Sequence, residues 1–124
     1  MTSDSSASSE PSPLAPIFGG EEVVAHFRDG TSLVVFVREY TIRNYGDFIK
    51  VADNEPALLG TGCSVGDARQ PLTAAQIDGL TAESIAELVE KSRALNLAPA
   101  LAWAERQARV LHRLRPVLEK LNRN

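Results

Sequence analysis

Apolar residues between positions 21 and 40 recur with a period of two on either side of one Asp-Gly pair. That pattern predicts an antiparallel β-hairpin over 22–40, with Asp29-Gly30 as a two-residue turn whose central positions need positive φ. In this register Val24 faces Val35 and Val23 faces Phe36 across the ladder. Alternation then puts Val23, Ala25, Phe27, Val34, Phe36 and Tyr40 on one face, and Val24, Leu33, Val35 and Val37 with His26 on the other. Both faces are apolar. A lone hairpin is marginal in water and keeps two unpaired edges, so one face or edge is expected to take another strand, a second copy of the chain or a partner.

Beyond Tyr40 the period changes to that of a helix. Ile42, Tyr45, Phe48, Ile49 and Ala52 fall on one side of a helix predicted over 42–52, with Thr41 as its N-cap. Asp53-Asn54-Glu55-Pro56 ends it, and Glu55–Leu59 is expected to make at most a short helical turn. Residues 60–71, rich in glycine, read as a loop. A short helix over 73–80 turns Leu72, Ile77 and Leu80 inward. Thr81 opens a helix over 82–96, with Glu83 in its first turn and Lys91 and Arg93 in its last, where each charge matches the helix dipole. Its inward stripe is Ile85, Leu88, Val89, Ser92 and Leu95. Asn96–Pro99 reads as a break, and a last helix runs over 99–121, bent near Pro116, whose nitrogen cannot donate to the ladder. Trp103, Val110, Leu114, Val117 and Leu121 line this helix beside a second stripe of Leu97, Leu101, Ala104, Ala108 and Leu111. Together they form a face broader than one neighbouring helix needs. The expected fold is α+β: one antiparallel hairpin packed with three to four helices in a single domain over 21–124. It follows a leader over 1–20, rich in serine and proline, that is expected to be disordered.

Composition changes this picture in two places. The chain of 124 residues has a net charge of −3, so the molecule as a whole is not built to hold a polyanion. The charge is unevenly spread: residues 93–124 hold seven of the 13 bases and two of the 16 acids. Arg106, Arg109, Arg113 and Arg115 crowd the last helix, and they carry the alternative reading, a small nucleic-acid-binding protein. No apolar run approaches the roughly 20 residues needed to cross a bilayer. No basic start with an apolar stretch marks a signal peptide, so the expected location is the cytoplasm.

Candidate chemistry is sparse. The single cysteine, Cys63, can form no internal disulfide, and neither His26 nor His112 is placed to act as its base. The run from Gly60 to Gly66 lacks the preceding strand and the Gly-Lys-Ser/Thr end of a phosphate-binding loop. The two histidines define no metal site. The expectation is therefore no enzyme, no cofactor, no metal and no membrane, but a protein that binds protein, itself included. The residues expected to do so are Val24, Leu33, Val35 and Val37 on the hairpin, with Trp103, Val110, Leu114 and Val117 on the last helix.

One further pattern narrows that expectation. The Asp29-Gly30 turn, the apolar strand Val34–Val37, the pair Arg38-Glu39 and the helix start Thr41-Ile42 follow one another directly. Later, a helix opened by Thr81 precedes Trp103-Ala104-Glu105-Arg106. Over residues 21–106 this order resembles the small tail assembly chaperones of tailed bacteriophages and prophages. The resemblance implies a non-enzymatic protein of the bacterial host cytoplasm that keeps a tape-measure or tail tube protein competent for assembly. The arginine-rich end is not a feature expected of every member.

Overall fold

The computed structural model describes residues 19–122, so the leader, with Leu14, Ile17 and Phe18, lies outside the described residues. The described chain is α+β. Strands β1 (Gly20–His26) and β2 (Ser32–Arg38) are followed by a 3-10 turn (Ile42–Asn44) and helices α1 (Tyr45–Val51) and α2 (Glu55–Gly62). Strands β3 (Cys63–Val65) and β4 (Gln70–Pro71), the short helix α3 (Ala74–Gly79) and the long helix α4 (Ala82–Asn122) complete it. All strand pairs are antiparallel, in the order β1-β2-β3-β4.

The hairpin forms where the alternation predicts it, but its loop differs. Phe27 pairs with Thr31 through an N–H···O bond of 2.9 Å, the Gly30 amide reaches the Phe27 carbonyl at 3.0 Å, and Gly30 takes φ +91°. This is a three-residue loop with glycine in the left-handed position rather than a two-residue turn. The Asp29 carboxylate accepts from both the Thr31 hydroxyl (2.6 Å) and the Thr31 amide (2.9 Å), closing the loop. Those two bonds, the hydroxyl's first, hold the Asp29 carboxyl below its ordinary pKa. One extra loop residue slips the register by one, so Val23 faces Val35 and Val24 faces Val34. A slip of one moves a strand's side chains to the opposite face. Val35 and Val37 thus join Val23 and Ala25 in the core, while Val34 and Phe36 move to the outer face beside Val24.

The inner face of the sheet is covered by the first part of α4, which contributes Leu88, Val89 and Ala100, and by Phe48 of α1 and Leu58 and Leu59 of α2. The stripe expected for residues 82–96 is therefore the one used, and Ile85 and Leu95 pack against the core's margin. Thr81 accepts from the Ser84 amide as an N-cap does, and Thr73 with Gln76 forms a full capping box at the start of α3. Asn54 caps α2, which continues to Gly62 instead of ending near Leu59. Thr41 makes no side-chain cap, and Ile42, expected to face inward, lies exposed on the 3-10 turn.

Two further expectations are overturned. The glycine-rich segment contains β3 and β4: Val37 pairs with Cys63 and Phe36 with Ser64, which extends the hairpin into a four-stranded sheet. The break at Asn96–Pro99 is absent. α4 runs for 41 residues with Pro99 and Pro116 inside it. Asn96, read from the sequence as a helix end, is fully buried and holds the helix to the sheet. Its Oδ1 accepts from the Tyr40 amide (2.7 Å), and its Nδ2 donates to the carbonyls of Arg38 (3.0 Å) and Ser92 (2.8 Å). These bonds satisfy the backbone where β2 ends, a place where unpaired groups would be costly.

Candidate functional site: the exposed half of the long helix

α4 divides into two parts by burial. Up to Ala100 it contributes fully buried residues, and from Trp103 to Ala104 it is half-buried. From Glu105 to Asn122 every residue is exposed. At 1.5 Å per residue those 18 positions form an arm of about 27 Å. The arm is not polar all round. Val110, Leu111, Leu114, Val117, Leu118 and Leu121 fall within one face of the helix and are 45% to 64% exposed. Single exposed apolar side chains are ordinary, whereas a contiguous stripe on an unsupported helix marks a surface built to be covered.

The arm brings together only part of the set expected from the sequence. Val110, Leu114 and Val117 sit on the stripe. Trp103 lies at the base of the arm, where its ring is 6.3 Å from that of Tyr45 and rests on Gly46 of α1. It therefore serves the domain's own packing as well as the root of the stripe. The hairpin residues do not join this surface. Val35 and Val37 are buried in the core, Leu33 is half-buried, and Val24 is half-exposed on the outer sheet face with Val34. Phe36, on that same outer face, is covered by the Arg69 guanidinium at 3.5 Å from its ring centre and by Gly19. The set expected from the sequence leaves out Leu111, Leu118 and Leu121 of the stripe. Their four-and-three spacing with Leu114 was the signal available for them.

The basic residues of the alternative reading, Arg106, Arg109, Arg113 and Arg115, are also all exposed on the arm. Arg106 and Arg113 border the stripe on one side and Arg115 on the other, by their position around the helix. The arm's two acids, Glu105 and Glu119, fall on the opposite side from the stripe.

Elsewhere the chemistry is quiet. Cys63 is buried on the inner sheet face, and burial pushes its thiol up to about 12. A thiol so placed stays protonated and is a poor nucleophile. His26 lies on β1 and His112 on the arm, in different parts of the fold. Among the described residues no three His, Cys, Asp or Glu side chains gather where a metal ion could be held, and no helix is long and apolar enough to cross a membrane. A cavity of about 490 Å³ opens between Phe36, Arg38, Thr61, Cys63 and Arg69, and another of about 520 Å³ between the hairpin loop and α3. In the second cavity the Thr31 hydroxyl donates to the exposed Asp29 carboxylate, a bond that closes the hairpin loop. Compared with known protein families, characterised proteins and solved structures, the chain matches none of them.

Proposed function

We propose that this is a non-enzymatic protein that binds another protein, and that the distal half of α4 is its docking element. One observation carries the reading: an apolar stripe from Val110 to Leu121 on a helix whose residues from Glu105 to Asn122 are all exposed. Most helical stability in proteins comes from packing of an amphipathic face, so a surface that covers the stripe would stabilise this part of α4. The buried, protonated Cys63 is consistent with a binding role rather than nucleophilic catalysis. The resemblance of residues 21–106 to tail assembly chaperones of phages and prophages narrows the proposal. In that setting the chain works in the bacterial cytoplasm, and its client is a tape-measure or tail tube protein.

Co-expression with a phage tape-measure protein and a tail tube protein tests this. The wild-type chain is expected to co-purify with one of them, and Leu114→Asp to release it. A tape-measure protein equally soluble with and without this chain overturns the chaperone assignment. The second reading, nucleic-acid binding, rests on the four exposed arginines of the arm. It requires affinity for duplex DNA that falls steeply with salt.

A further inference from the structure

Resting on the docking role proposed above, we infer that the occupant of the arm is an α-helix of another protein whose apolar face is bordered by acidic residues. The argument is geometric and electrostatic. The stripe from Val110 to Leu121 follows a four-and-three spacing, the pattern that pairs one helix with another. It spans about 17 Å, so a partner helix of about three turns or more covers it. Arg106, Arg113 and Arg115 bracket the stripe, while Glu105 and Glu119 point away from it.

This charge arrangement argues against a second copy as the occupant. Antiparallel self-pairing sets the Arg106–Arg113 border of one arm against that of the other, like charge against like. Parallel self-pairing sets those bases beside Leu111 and Leu118, with no acid in reach. A partner with Glu or Asp along the edges of its apolar face meets the arginines with opposite charge. Such charges also steer encounter and select among partners. A nucleic acid accounts for the arginines but leaves six apolar side chains uncovered.

The test is a displayed library of helical peptides about 18 residues long. Leucine is held at the inward positions, and the bordering positions vary among Glu, Gln and Lys. Selection uses the full chain, with counter-selection on Leu114→Asp. Glu is expected to be enriched over Lys at the borders. Selected peptides are expected to lose about tenfold or more in affinity to Leu114→Asp, and severalfold to Arg106→Gln/Arg113→Gln, a pair that leaves the stripe intact. Stripe-dependent binders with no charge bias, or with Lys enriched, overturn this inference and leave the docking role standing. Absence of any binder sensitive to Leu114→Asp overturns both. A dimer in sedimentation that Leu114→Asp dissociates replaces the partner helix with a second copy. Duplex DNA binding lost in Arg106→Gln/Arg113→Gln and kept in Leu114→Asp assigns the arm to phosphates and overturns the inference as well.

Discussion

The two halves of α4 have the same backbone and the same kind of apolar stripe, yet the chain treats them in opposite ways. In the first half Leu88, Val89 and Ala100 are met by the sheet and by α1 and α2. In the second half Leu114 and Leu118 are met by nothing among the described residues. Amphipathic pattern alone therefore does not distinguish a helix that builds a core from one that offers a surface. What distinguishes them is the number of elements left in the chain to cover the stripe. The sheet and the helices α1 and α2 close over residues 82–100, and no element among the described residues covers 105–122.

The largest effect that would sharpen this comparison is the same truncation made on both sides. Leu88→Ala is expected to lower the free energy of unfolding by about 2–5 kcal/mol in denaturant titration. Leu114→Ala is expected to change it by less than about 0.5 kcal/mol, because among the described residues its side chain packs on no element beyond its own helix. Equal losses at the two positions would break the division. Next is Asn96→Leu, which strands the Tyr40 amide and the Arg38 carbonyl and is expected to cost about 2–3 kcal/mol by the same measurement. A smaller cost, about 1 kcal/mol, is expected for Gly30→Ala, since alanine resists the positive φ of the hairpin loop. Cys63, on β3 in the core that the first half of α4 covers, adds a pH dependence. Its folded thiol titrates near 12 against an ordinary 9.0, so the folded state holds the proton that the unfolded state releases. Stability is then unaffected below pH 9 and falls as pH rises from 9 toward 12, which thermal melts across that range would show. The smallest effect belongs to Ser92→Ala. The buried Ser92 hydroxyl has no hydrogen-bond partner among the described residues, so its removal is expected to be neutral or slightly stabilising.

Much of the fold was legible in the chain. The period-two run, the Asp29-Gly30 punctuation, the Thr81 start and the stripe Ile85, Leu88, Val89, Ser92 and Leu95 are local signals, and local signals are what a single sequence carries. The faces of the hairpin were not legible. They depend on whether Asp29-Gly30 closes a two- or a three-residue loop, and that choice lies in one left-handed residue and the Asp29–Thr31 bonds. Strands β3 and β4 were hidden for another reason. They are three and two residues long, and pairing makes them strands, β3 with the distant β2 and β4 with β3, not their own glycine-rich composition. The continuity of α4 through Pro99 was masked by a strong local breaker signal. On the candidate surface, Val110, Leu114 and Val117 could be named from spacing. Val35 and Val37 were misassigned by the register slip alone.

Trp103 has a consequence of its own. It is the chain's one tryptophan, and it stands where the covered and uncovered halves of the helix meet, with Gly46 and Tyr45 on one side of its ring. The molecule therefore carries a native optical probe at the junction of those two halves. A shift in indole emission when a ligand settles on the arm, with no change in far-ultraviolet ellipticity from the sheet, would time the arrival of that ligand without any label.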